Sequence, residues 1–228
     1  MAITLGPVTF DDAHTTIREK LEEVGGRNER RITISGAIVG QNTVAAIEAQ
    51  IDAILDAASV EDFSAELSLR PGRRLFVRRN EFSREVQGEA LVGAFKLELE
   101  AKNAFEESTS ITTVNWTVTA SGQTQAASSS GTVYAKPKIS LVATGTIVDP
   151  SFSDGSRTIS FSGTVQDGET LVLDADAATA TLEGSDVTPY TSGSFPRISP
   201  EGVTLTYVDD AASSHTAQIT VTYRDRWW

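Results

Sequence analysis

The chain of 228 residues contains no cysteine. Neither a disulfide framework nor thiol chemistry is open to it, and redox usage says nothing of its compartment. Histidine is almost missing too. Only His14 and His215 occur, which leaves a zinc site of the usual Cys/His kind without ligands. Positive charge is scarce: 19 Lys+Arg face 31 Asp+Glu, a formal net charge of −12. A nucleic-acid-binding surface needs a basic face, so the balance argues against that class of function. No run of about 18 apolar residues is present to cross a membrane as a helix. The first residues show no apolar segment behind a basic one, so no secretory signal is expected and the default is a soluble protein made in the cytosol.

What the chain does have is alternation. Ile3 to Phe10 reads as a strand broken at Gly6-Pro7. Residues 11–30 admit two readings. Asp11 or Asp12 can cap a helix in which Ile17, Leu21 and Val24 recur four and three apart. The same stretch can be two polar strands joined at Gly25-Gly26. Arg31 to Gly40 reads as a strand. Thr43 and its neighbours then offer an N-cap, and Val44, Ile47, Ile51, Ile54, Leu55 and Ala58 fall at helical spacing opposite Glu48, Gln50, Asp52 and Asp56. Leu67, Leu69, Leu75 and Val77 flank Pro71-Gly72, a hairpin turn, and Ala90 to Ala101 forms a further strand. One helix on a sheet makes residues 1–108 an α+β domain.

Composition shifts at Ser108 to Thr113. Residues 1–108 hold 13 Lys+Arg and 19 Asp+Glu, whereas 109–228 hold 6 and 12, so the net charge is shared equally but its density drops. Short strands now follow one another: 115–120, 131–135, 138–143, 157–165, 169–175 and 178–182, parted by Asp149-Pro150, Asp154-Gly155 and Asp167-Gly168. Thr124 to Thr132 is low in complexity and is expected to be an exposed loop. Val203 to Val208 and Ile219 to Arg224 alternate on either side of the polar loop Asp209 to His215, which predicts an antiparallel hairpin. The whole is mainly β, and the second half reads as a β-sandwich or jelly roll. Residues 1–108 and 109–228 are expected to fold as separate domains.

Several stretches carry a resemblance. Phe195-Pro196, then Pro200 and Gly202, a strand ending near Tyr207, and the closing Tyr223-Arg224-Asp225-Arg226-Trp227 resemble the end of a phage distal tail protein, from long-tailed, non-contractile phages. Residues 131–141 and 159–174 resemble the middle of that family's second domain, and 91–108 the end of its first, although Asn103-Ala104-Phe105 stands where the family has a proline-containing corner. The resemblance implies strands rather than a helix over 11–30 and a galectin-like sandwich for 109–228. It implies a structural virion protein at the tail tip, made in the host cytoplasm. Such a protein assembles with itself into a ring, commonly a homohexamer, that joins the tail tube protein to the tail-tip hub protein and lets DNA pass without specific binding. No membrane enters that picture.

Chemistry is sparse. His215 could be set beside Asp209 or Asp210 as the base of a Ser-His-Asp arrangement, but no G-x-S-x-G motif accompanies it and a solvated loop histidine explains it as well. Asp149, Asp154, Asp174, Asp176 and Asp186 lack calcium-loop spacing and suit turns. No catalytic, cofactor-binding or metal-binding residue is therefore expected, and no enzyme. A carbohydrate-binding or adhesin module is the alternative; such modules use aromatic platforms, and the second half has few, Trp116, Tyr134, Tyr190, Tyr207 and Tyr223, without clustered spacing.

The sharpest charge feature is a run of arginines without lysine: Arg70, Arg73, Arg74, Arg78, Arg79 and Arg84. Arginine makes bidentate pairs with carboxylates and suits an interface between acidic subunits, or the solvated face of a hairpin. Arg73, Arg74, Arg78 and Arg79 are the expected subunit-interface residues, with Glu48, Asp52 and Asp56 or Glu81, Glu85 and Glu89 as the facing acids. Trp227 and Trp228 either close the core or anchor a partner.

Overall fold

The computed structural model describes residues 3–24 and 27–228, and the chain divides into two compact units, 1–109 with Trp228 and 110–227. Gly25-Gly26, where two strands were expected to join, lies outside the described residues. No helix among those described is long and apolar enough to cross a membrane.

The first unit runs β1 (Ile3–Leu5), β2 (Val8–Phe10), β3 (Thr15–Val24), β4 (Arg27–Ile38), α1 (Val44–Asp56), β5 (Ala65–Ser68), β6 (Arg73–Gln87), β7 (Val92–Ala101) and β8 (Glu106–Ser108). Its antiparallel sheet has the order β2-β1-β5-β6-β7-β4-β3, with β8 beside the first residues of β6. Gly6 takes φ 52°, so Gly6-Pro7 is a tight turn and Leu5 pairs with Val8. The stretch Thr15–Val24 is a strand, not a helix. It pairs residue for residue with β4, Thr15 opposite Gly36 and Val24 opposite Arg27. Cross-strand partners along the whole of β3 outweigh a helical repeat of only three apolar residues, Ile17, Leu21 and Val24.

Helix α1 starts where the cap predicts: the amide of Ala46 donates to Thr43 Oγ1 at 3.2 Å. Ile47, Ile51 and Ile54 are buried against the sheet, among Leu5, Ile34, Leu67, Val77, Leu97 and Leu99. The helix lies close on β7. A Cβ placed on Gly93 would come within 2.3 Å of Ile47 Cγ2.

The second unit runs β9 (Thr112–Val118), β10 (Thr124–Ala127), β11 (Lys138–Ala143), β12 (Ile147–Val148), β13 (Ser151–Ser153), β14 (Thr158–Phe161), β15 (Thr164–Val165), β16 (Thr170–Asp174), β17 (Thr179–Leu182), β18 (Ser185–Asp186), β19 (Thr191–Gly193), β20 (Val203–Val208), β21 (Ala217–Tyr223) and β22 (Arg226–Trp227). Two antiparallel sheets, β10-β20-β13-β14-β19 and β18-β17-β16-β11-β21-β9, face each other as a sandwich. Phe152, Ile159, Leu205 and Tyr207 of one meet Trp116, Leu141, Leu171, Ile219 and Val221 of the other.

Three expectations need correction here. β20 and β21 are not a hairpin: β20 pairs with β10 and β13, and β21 with β9 and β11, in opposite sheets. Leu205 and Tyr207 must face Ile219 and Val221 across the core, so the 209–216 connection spans the layers instead of folding back in one of them. Thr124 to Thr132 is not simply a loop, since Thr124–Ala127 is an edge strand on β20 with Ala127 buried. Residues 131–135 form no strand but two isolated bridges, Val133 with Arg226 and Ala135 with Ile198.

Candidate functional site

Strand β6 carries the arginine run, and its alternation decides where each guanidinium goes. Leu75 and Val77 point into the core, so Arg74 and Arg78 point away from it. Arg74 donates to Glu66 at 3.0 Å and to Glu107 at 2.9 Å, and its guanidinium sits 4.7 Å from the ring centre of Phe76. Arg78 donates to Glu100 at 2.8 Å and lies over Phe63. Arg73 reaches Glu106 at 3.4 Å. Arg79 turns to α1 and donates to the carbonyl of Leu55, one of the last carbonyls of the helix. Arg84 binds Asp52 at 2.8 Å, so the acidic face of α1 already meets one arginine within the chain. The bulge between Arg79 and Glu81 shifts the register just before that contact.

Around Arg70 the pairs join into a network. Arg70 donates to both Glu106 and Glu19, and Glu19 also receives Arg30. Arg30 is only 2% exposed and also donates to the carbonyl of Ala104 at 3.2 Å. Burial pushes the Glu19 carboxyl up, but hydrogen bonds and charge from Arg30 and Arg70 outweigh it and hold it below the ordinary 4.5. Sequence patterning alone did not single out Arg30 and Glu106. The signal for Arg30 was present: it is in phase with Ile32 and Ile34, and period two places all three on the core side.

In the second unit the His215–Asp209 pair does form. His215 Nδ1 lies 2.9 Å from Asp209 Oδ1, and the Tyr207 hydroxyl donates to Asp209 Oδ2 at 2.8 Å. Burial first, and then the hydrogen bond and charge of Asp209, push the Tyr207 phenol well above its usual range. The amide of Asp209 donates to Ser121 Oγ at 3.1 Å, and Ser213 Oγ is committed to the backbone of Val148. The network therefore fixes the connection between the two sheets. Asp154, Asp174 and Asp186 accept amides two residues on, as turn-forming aspartates do, while Asp176 binds Lys136 and Asp149 takes the amide of Gly163. Among the described residues no three His, Asp or Glu side chains gather as metal ligands would.

Of the five aromatics considered as sugar platforms, Trp116, Tyr207 and Tyr223 are core residues, and Tyr134 lies under Arg197. Tyr190 alone of the five is largely exposed. Neither terminal tryptophan joins the core: Trp227 is half-buried, and Trp228 is 51% exposed with its ring 4.5 Å from that of Phe105, centre to centre.

A two-sheet antiparallel sandwich behind a one-helix α+β unit is an architecture with known counterparts. Residues 130–227 match the family model of the siphovirus-type tail component, C-terminal domain. Among solved structures the chain is similar to the SPP1 Dit (gp 19.1) protein, described as a paradigm of hub adsorption apparatus in Gram-positive infecting phages. The TM-score is 0.71 at 10% identity, and the alignment covers 100% of this chain and 99% of that one. No curated protein sequence matches. The chain is thus Dit-like in fold over its whole length, and residues 130–227 also match the siphovirus-type tail component model by sequence. The resemblance read from residues 91–108, 131–141, 159–174 and 195–227 is borne out, and so is the mainly β fold class with an α+β unit before a sandwich.

Proposed function

We propose that this chain is a structural protein of the tail tip of a long-tailed phage, a distal tail protein. In this reading it forms a homohexameric ring between the tail tube protein and the tail-tip hub protein, and DNA passes through the ring. The observation that carries the reading is the whole-chain likeness in fold to SPP1 Dit, joined to the family match over residues 130–227. Two physical features support it. The sheet of the first unit begins and ends with different strands, β2 and β3. Unpaired strand edges recruit further strands, and a head-to-tail contact between unlike edges is what a closed ring requires. A net charge of −12 also keeps a phosphate backbone from sticking to a passage.

In the same reading Arg73, Arg74, Arg78 and Arg79 contribute to the contact between subunits. The partners they already have within the chain, carboxylates for Arg73, Arg74 and Arg78 and the Leu55 carbonyl for Arg79, limit what each can add. Exposed pairs contribute about 0–1 kcal/mol, so the four act together or not at all. Production in the host cytoplasm and location in the virion tail tip follow from the same proposal, as does a role that is not enzymatic. Mass photometry and negative-stain microscopy of the purified chain test it. Six-membered rings, alone or on addition of the tube protein, are the expected result. A monomer under both conditions would overturn the reading.

A further inference from the structure

The second unit has few cations, and half of them share one hollow. Lys136, Arg157 and Arg197 are three of the six basic residues after position 108, and they line a single concavity of about 340 Å³. Phe195 and Ala175 supply an apolar wall. A volume of that order accepts one sugar-sized group.

The three cations are held differently. Lys136 Nζ is 2.9 Å from Asp176, which is well exposed. Arg157 lies 3.7 Å from Asp154. Arg197 has no carboxylate partner among the described residues. Its guanidinium carbon stands 3.8 Å from the ring centre of Tyr134. Stacking on an aromatic face fixes the guanidinium plane and leaves its rim of N–H donors available.

The backbone beneath is equally fixed. Asp154, whose side chain is 4% exposed, accepts the amides of Ser156 and Arg157 on Oδ1 and the amide of Arg197 on Oδ2. Burial raises the Asp154 carboxyl, and those donors more than reverse the effect, so it stays ionised. One buried carboxylate thereby ties the turn after β13 to the segment after β19 and brings two guanidinium groups to the same opening. Pro196, also buried, sets the chain direction just before Arg197.

We propose that this hollow binds a small anionic group, a phosphate or a sugar carboxylate. Arg197 and Arg157 grip its oxygens, and Lys136 supplies a further charge. A planar fork held on an aromatic ring matches a two-oxygen anion, and little side-chain freedom remains to be lost on binding. The site is too local, and its surroundings too acidic, for a nucleic-acid strand.

The test uses the full chain at low salt. Inorganic phosphate, glucuronate and neutral glucose are titrated separately, and chemical shifts of the arginine side chains and of the Gly193 and Ser194 amides are followed. Saturable shifts are expected with phosphate, with glucuronate or with both, and which of them binds tells a phosphate-bearing ligand from a uronic acid. Arg197→Gln and, independently, Arg157→Gln should each weaken binding about tenfold, the loss of a charge-assisted contact, with unchanged melting. Arg197→Lys, which keeps charge but not the fork, should fall between. The proposal is overturned if neither anion gives a saturable shift, if glucose binds as well as they do, or if both Gln variants bind like the parent.

Discussion

At the scale of the residue, Arg30 shows how a charge is kept inside a sheet. Its guanidinium is answered by Glu19 on the neighbouring strand and by a backbone carbonyl, and Glu19 is shared with Arg70. Removing one member of a buried pair leaves the other uncompensated, so Arg30→Ala should cost roughly 3–5 kcal/mol in a denaturant melt of the first unit. Arg30→Met, which fills the space without a charge, should cost far less if Glu19 is changed to Gln with it. The pH dependence has a definite sign. Glu19 sits below its ordinary 4.5 when folded, so its contribution is complete above that value and is lost as pH falls through the folded pKa. Unfolding followed against pH should therefore show stability falling more steeply on the acid side for the parent than for Glu19→Gln. Equal slopes would mean that other carboxylates carry the acid limb. Arg30 was legible in the sequence through its phase with Ile32 and Ile34. Its partners Glu19 and the Ala104 carbonyl were not, because pairing across the sheet depends on register, which no single stretch of residues specifies.

At the scale of the element, helix α1 is seated by three isoleucines and closed at both ends by side chains, Thr43 at the start and Arg79 on Leu55 at the finish. Ile51 is fully buried, and Ile51→Asp would set a charge among Leu, Val and Phe side chains. That variant should lose several kcal/mol and, with it, the cooperative melt of the first unit. Arg79→Ala should cost about 0.3–1 kcal/mol, the scale of a cation at a helix C-terminus. A larger loss would show that Arg79 also supports β6. The helix was plain in the sequence because the spacing of Val44, Ile47, Ile51, Ile54 and Ala58 makes one stripe on a helix and would scatter over both faces of a strand. The strand Thr15–Val24 was not, because most of its residues are polar or charged and its stability comes from β4 beside it. The expected hairpin at the end of the chain failed for a related reason. Alternation gives the faces of β20 and β21 but not whether the connection returns in the same sheet or crosses to the other.

At the scale of the whole molecule, independent folding of the two units is a proposal with a direct check. Limited proteolysis should cut first near Thr109-Ser110, where the two compact units divide, and spare Thr124–Ala127, which is paired in a sheet. First cleavage inside a sheet would count against it. Assembly has its own test: Arg73, Arg74, Arg78 and Arg79 changed together to Gln should shift the particle distribution toward monomer, most visibly at low salt, where screening is weakest. Mass photometry alongside a melting curve separates lost assembly from lost folding, and an unchanged ring would assign the four arginines to the subunit alone. The pairing of β9 with β21 has a different kind of consequence. Trp116 lies opposite Ile219, so the first strand of the sandwich waits for β21, far along the sequence, before it has a partner. Such long sequence separation between contacts slows folding, typically to milliseconds or seconds for sandwiches. During synthesis the first strand of the second unit stays unpaired until β21, Ala217–Tyr223, has been made. Any joining of copies through that unit therefore comes after β21 is in place.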